Sequence, residues 1–328
     1  RKATPLVPIA DARAAKPAID WSAYQPPRPK FIGRRTFKNF DLTELARFAD
    51  WTPFFQTWSL FGQYPAILED KVVGEQAKKV FADGQAMMKR IVDGRWLTAN
   101  GVVAFYPANT VNDDDIEIYQ DETRQKVLFT WRGLRQQGVK REGVENKCLA
   151  DYIAPKSSGV VDYIGLFAVT AGLGVEKKEQ EFMAANDDYS SIMFKSLADR
   201  LAEAFAEALH ARVRTDLWGY VPDESLTNEQ IIKEAYQGIR PAPGYPACPE
   251  HVVKKEMFEV LDGADIGMLL TESYAMHPAA SVSGFYFSHP QSHYFNVGTI
   301  GEDQLQDYAE RSGRASEDLK RTLAPNLG

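Results

Sequence analysis

Cysteine is scarce in this chain: Cys148 and Cys248 are the two among 328 residues. A reducing, cytoplasmic compartment explains two thiols most simply. Neither belongs to a metal-type pair, and a disulfide between them stays open at this stage. Histidine is also sparse, with five residues and no H-E-x-x-H spacing. His289 and His293 have Pro290 between them, which argues against one helix face, so no metal site is expected. No apolar run approaches the ~20 residues that cross a bilayer. The polar, proline-rich N-terminus does not read as a signal peptide. Excess positive charge is missing too, with 38 Lys+Arg against 45 Asp+Glu and a net charge of −7. That argues against nucleic acid as a partner. There is no G-x-S-x-G and no Walker loop. Gly172-Leu173-Gly174 follows a strand-like run, but Lys177 stands where the third glycine of a dinucleotide loop belongs. No nucleophile with its base is visible, and no catalytic side chain is expected.

What is present is ordinary globular material, 44% hydrophobic and 25% charged, long enough for one large or two medium domains. The chain begins at Arg1 rather than Met, as expected of a piece cut from something larger. Residues 1–35 carry Pro5, Pro8, Pro17, Pro26, Pro27 and Pro29 and read as a linker or an arm wrapped on the body, residues 36–328. Helices are expected at 42–48, just after Asp50-Trp51-Thr52-Pro53, over 72–94 and over 189–213. In the last, Ile192, Leu197, Leu201, Phe205 and Leu209 recur at helical spacing and predict a buried stripe. Short β-branched or aromatic runs predict strands at 102–106, 115–119, 127–131, 160–170 and 294–300. A helix near 251–261, an apolar stretch at 281–287 and two short terminal helices complete the pattern. Clustered helices and closely spaced strands predict an α+β class with an antiparallel sheet, not a doubly wound one.

Residues 240–251, Arg-Pro-Ala-Pro-Gly-Tyr-Pro-Ala-Cys-Pro-Glu-His, are the most informative segment. Pro241, Pro243, Pro246 and Pro249 remove backbone donors and fix φ, which predicts a stiff, extended, polyproline-like run. Such a run presents groups to a ligand at low entropic cost. Arg240 heads it with a fork of donors suited to a carboxylate. Gly244 offers close approach and Tyr245 an aromatic face. A surface loop with an incidental arginine is the bland alternative. Other candidates have bland alternatives as well. Asp50 fits a helix cap. Glu203, in register with Asp199 and Glu207, fits a wet helix face, although Ala202, Ala204 and Ala206 would let another segment come close. Glu234 fits a surface ion pair, Tyr294 and Phe295 fit strand residues, and Asp113-Asp114-Asp115 fits a solvated turn. Together, carboxylates, one well-presented arginine and several aromatics suit a ligand with an amino-acid end, a cation and a flat ring.

From about Ile19 to Gly328 the chain resembles the C-terminal activation domain of cobalamin-dependent methionine synthase. The resemblance rests on Asp50-Trp-Thr-Pro-Phe-Phe, Asp115-Ile-Glu-Ile-Tyr119, Gly133-Leu-Arg-Gln-Gln137, Ala198-Asp-Arg-Leu-Ala-Glu-Ala-Phe-Ala-Glu207, Gly238-Ile-Arg-Pro-Ala-Pro-Gly-Tyr-Pro246, Leu270-Thr-Glu-Ser273 and Val282-Ser-Gly284. It implies a single C-shaped α+β domain, with helices around a bent antiparallel sheet. It also implies binding of S-adenosylmethionine (AdoMet), whose methyl re-forms methylcobalamin from oxidised cob(II)alamin with an electron from flavodoxin or a related reductase. The cobalamin would be held by a partner domain that this chain does not include. On the resemblance, Asp50 pairs with the AdoMet ammonium and Arg240 with its carboxylate. Backbone groups of Arg240 to Tyr245, with Ala242 central, hold adenine and ribose. Tyr294 and Phe295 complete the pocket, the latter without the hydroxyl that the family often has there. Glu203 and Glu234 lie near the sulfonium. A docking module without ligand binding, using Arg132, Arg135, Lys140 and Arg141 to meet an acidic reductase, is the alternative; a free-standing methyltransferase for another small molecule is a third.

Overall fold

Two long strands with almost no exposed residue organise the chain, and their sequences explain why. A computed structural model describes residues 3–328. It contains strands β1 (Gly33–Phe37), β2 (Thr98–Val111), β3 (Asp115–Tyr119), β4 (Val127–Arg132), β5 (Asp162–Leu173), the short pair β6 (Leu269–Leu270) and β7 (Met276–His277), and β8 (Ser281–Tyr286). The main sheet runs β4-β3-β2-β5-β8, with β1 beside β3 on the same edge of β2, and every pairing is antiparallel. β2 and β5 are apolar on both faces because both faces are covered. Val103, Phe105, Phe167 and Val169 point into one core, while Val102, Ala104, Leu166 and Ala168 point into a second. This is the period-2 alternation of a pleated strand.

The helices are α1 (Ile9–Ala14), α2 (Leu42–Arg47), α3 (Thr52–Thr57), α4 (Gly74–Gly94), α5 (Val175–Ala184), α6 (Asp188–Arg212), α7 (Asn228–Ile232), α8 (Lys254–Leu261), α9 (Glu302–Ser312) and α10 (Ser316–Thr322). α6 and α4 cover the first core, and α8 covers the second. Leu197, Leu201, Phe205 and Leu209 of α6 are fully buried as the spacing predicts, but Ile192 is exposed; Met193 and Phe194 begin the buried face instead. A third, smaller core lies under α9 and α10. The strand expected over 294–300 is absent. Asn296 forms a side-chain turn onto Gly298 N, and Gly298 takes φ 70°, which breaks extended backbone there.

Residues 3–35 lie on the body. Val7 N donates to Gln137 O at 2.9 Å, Ala12 is buried, and Trp21 packs edge-on to His289. A division at residue 35 falls inside β1. Of the aspartates expected to form a solvated turn at 113–115, Asp113 is exposed in a turn but the other two are not. Asp114 and Asp115 are fully buried, and Arg13, Arg132, Arg135 and Arg311 converge on them, tying arm, sheet and α9 together. Both cysteines are free and buried.

Candidate functional site

The proline segment is an edge strand followed by a tight reversal. Ile239 and Phe287 exchange backbone hydrogen bonds of 3.0 Å, and Phe285 N donates to Pro241 O at 2.9 Å, so residues 239–241 extend the sheet beyond β8. Pro241 has no N–H to return to Phe285 O, so the pairing ends at this residue, as it can at a sheet edge. Gly284 is required opposite it, since a Cβ there would lie 2.6 Å from Pro241 O. After Pro241 the chain does not stay extended as the prolines predict. Tyr245 N reaches Ala242 O, Cys248 N reaches Tyr245 O, and Gly244 N reaches Cys248 O at 2.7 Å. Gly244 makes this reversal with φ 91°, and a Cβ on it would sit 2.1 Å from the His251 ring. Gly244 therefore shapes the turn and faces His251; it does not line the groove below.

A groove of about 570 Å³ opens beside this turn, lined by Glu203, Glu234, Arg240, Ala242, Tyr245, Tyr294 and Phe295 among others. Val297 N bonds to Pro246 O, and Tyr294 Oη accepts from Arg240 N at 2.9 Å, which fixes the aromatic wall against the turn. The Arg240 side chain is largely buried. Its Nη1 and Nη2 donate to the two oxygens of Glu207 at 3.1 and 2.8 Å. Nη1 also meets His210 Nδ1 at 2.8 Å and Tyr236 Oη at 3.1 Å. Among the described residues nothing accepts from Nε. The guanidinium thus has its end-on fork occupied and its Nε/Nη2 edge available.

His210 is fully buried, its ring stacked on Tyr286 and edge-on to Tyr236. Burial, with Arg240 and Arg214 nearby, pushes its pKa well below the usual range. The ring is therefore neutral, and the contact with Arg240 assigns Nδ1 as acceptor. Glu203 and Glu234 have no hydrogen bond or ion pair from their side chains to any described residue. Both are exposed at the mouth of the groove yet crowded by protein, and that crowding raises both carboxyls above their usual range despite the pull of Arg240. Glu234 also holds φ 59°, a left-handed conformation uncommon for a residue with a side chain.

Asp50 lies elsewhere. It lines a neighbouring groove of about 730 Å³ with Trp51, Tyr64 and Glu207, and its Oδ1 accepts from Thr52 N at 3.1 Å. The Glu207–Arg240 pair forms the wall between the two grooves, Glu207 on the Asp50 side and Arg240 on the other. Sequence reasoning missed Glu207, His210 and Tyr236. The signal was present for two of them, since Glu203, Glu207 and His210 share one helix face beside three alanines.

The family model of the vitamin B12 dependent methionine synthase activation domain matches residues 41–313. The chain belongs to that family. A solved structure described as the MetH reactivation domain bound to AdoHcy is 53% identical, covers 99% of each chain and superimposes with a TM-score of 0.95. The α+β class and the antiparallel sheet with surrounding helices agree with this activation domain and exclude a Rossmann sheet. Its description ties the family to a cobalamin-dependent enzyme. Of the basic residues considered for reductase docking, Arg135 is wholly buried and Arg132 is paired with Asp115, so neither forms a free positive surface. No helix among the described residues is long and apolar enough to cross a membrane.

Proposed function

We propose that this activation domain binds AdoMet at the junction of the two grooves and presents its methyl group to a cobalamin held by a separate domain. The observation that carries this reading is the free Nε/Nη2 edge of Arg240, set in a groove with two unpaired carboxylates. That combination complements a ligand bearing both a carboxylate and a cation. The AdoHcy named in the related structure supports it. Arg240 takes the ligand carboxylate bidentately. Asp50, across the wall, takes the ammonium. The backbone around Ala242, with Tyr245, Tyr294 and Phe295, takes adenine and ribose, and Gly244 contributes the turn. Glu203 and Glu234 face the sulfonium. Residues 3–35 brace the body, and residues 36–328 form the binding unit.

In the reaction, flavodoxin or a related reductase supplies one electron to cob(II)alamin. The reduced cobalt then displaces AdoHcy, the sulfur–methyl bond breaking as the cobalt–carbon bond forms. The sulfonium already activates the methyl, so the protein needs no general base; its task is to hold the ligand with the methyl outward. Glu203 and Glu234 offset the sulfonium without a close pair, which suits a charge that disappears in the transition state. This makes the chain the methyl-donor domain of a methyltransferase. Calorimetric titration of the chain with AdoMet tests binding. Adding the cobalamin-binding domain, cob(II)alamin and a reductant should then yield methylcobalamin by absorbance. No heat with AdoMet would favour a docking module instead.

A further inference from the structure

We propose that Glu207 sets the affinity and specificity of this site: it is a resident carboxylate that shares the Arg240 guanidinium with the ligand's carboxylate and holds the ligand's affinity down. The inference rests on the reading that the groove takes an amino-acid ligand. Glu207 occupies the end-on fork of Arg240 with both oxygens. His210, a neutral acceptor, and Tyr236 compete for the remaining Nη1 hydrogen. A ligand carboxylate is left the Nε/Nη2 edge of a cation whose charge is already balanced. It gains two hydrogen bonds there, but it is repelled by Glu207 across the width of one guanidinium, and the ligand's ammonium does not cancel that repulsion because Asp50 already balances it. Glu207 cannot withdraw easily, because it projects from the rigid helix α6 and its side chain is mostly buried. The product of methyl transfer keeps the same carboxylate as the substrate. A full-strength grip on that group would hold product as firmly as substrate, whereas a shared arginine orients the ligand and still lets it exchange. Sharing also requires arginine. A lysine ammonium, a point charge on a flexible stem, cannot serve two planar carboxylates on opposite edges.

The test is calorimetric titration of the 328-residue chain with two probes: AdoHcy, and 5′-methylthioadenosine, which lacks the amino-acid end. Glu207→Gln is expected to tighten AdoHcy by about three- to tenfold and to leave 5′-methylthioadenosine unchanged. Arg240→Lys is expected to weaken AdoHcy about tenfold. Combining the two substitutions should recover at least about threefold of that loss, because the lysine is released from Glu207 to the ligand. Should Glu207→Gln not fold, Glu207→Asp draws the carboxylate back by one methylene and should tighten AdoHcy by a smaller factor. A Glu207 variant that weakens AdoHcy, or shifts both probes alike, would overturn the proposal and leave Glu207 a scaffold residue. So would a double variant no better than Arg240→Lys. Absence of AdoHcy binding by the unsubstituted chain would instead defeat the parent reading, and this one with it.

Discussion

Arg135 and Arg240 are both arginines drawn into the protein by carboxylates, and they differ in what is left over. Arg135 donates from Nε to Asp114, from Nη1 to Asn146 O and Asp151, and from Nη2 to Asp151 and Asp113 O. Every edge is engaged and the side chain is wholly buried. Burial works against its charge, and the neighbouring carboxylates more than restore it. Arg240 has the same kind of partner in Glu207, but its Nε has no acceptor among the described residues, and the residue lines a groove. A closed arginine cements the arm, sheet and α9. An arginine with unengaged donors beside a concave surface is available to a ligand. Residue type and burial do not separate the two; counting donors against acceptors does.

The comparison breaks most visibly at Arg135. Arg135→Met strands Asp114 and Asp151 in the interior and should cost about 3–5 kcal/mol in urea unfolding; a loss below about 1 kcal/mol would mean that the network relaxes to water. Arg240→Ala should do the reverse. AdoMet affinity should fall at least tenfold, or ~1.4 kcal/mol by calorimetry, with a smaller loss of stability than at Arg135. Unchanged affinity would remove Arg240 from the site.

Asp50→Asn sharpens the contrast on the other side of the wall. Asparagine can still accept from Thr52 N at the start of α3, so stability should move by less than about 0.5 kcal/mol while AdoMet binding weakens severalfold. A collapsed melting temperature with binding intact would make Asp50 a cap alone. The smallest effect is expected with pH. Crowding raises the Glu203 and Glu234 carboxyls in the folded chain, so the folded state holds those protons more tightly than the unfolded one. Stability therefore falls as pH rises from the ordinary Glu value of about 4.3 through the raised ones. Over the same window the two groups gain charge, and affinity for sulfonium-bearing AdoMet should rise more than affinity for AdoHcy. Identical pH profiles for both ligands would place the sulfonium elsewhere, and Glu203→Gln with Glu234→Gln should flatten the difference.

Much of the fold was readable from local pattern. β3 and β4 lie where their β-branched and aromatic runs placed them, and α4 and α6 fall within two residues of their expected ends. β2 was underestimated because its polar outer residues Thr98, Asn100, Asn109 and Thr110 hide a strand of 14 residues; tertiary cover, not local preference, extends it. The reversal at Gly244 overrode the polyproline expectation, since one residue at positive φ outweighs the flanking prolines. The burial of Asp114 and Asp115 was invisible locally, because their partners Arg13 and Arg311 lie far away in the chain. At the site, seven of the nine residues carried over by resemblance line one groove; Asp50 and Gly244 do not. Glu207 and His210 escaped notice because a helix face with acidic residues reads as wet until the opposing segment is known.

The most direct measurement is a crystal structure of this chain with AdoHcy bound. The account predicts the ligand carboxylate within about 3 Å of Arg240 Nε and Nη2, Glu207 still on the opposite fork, and the sulfur facing Glu203 and Glu234. A ligand lying away from Arg240, or an Arg240 swung off Glu207 to meet it, would contradict it.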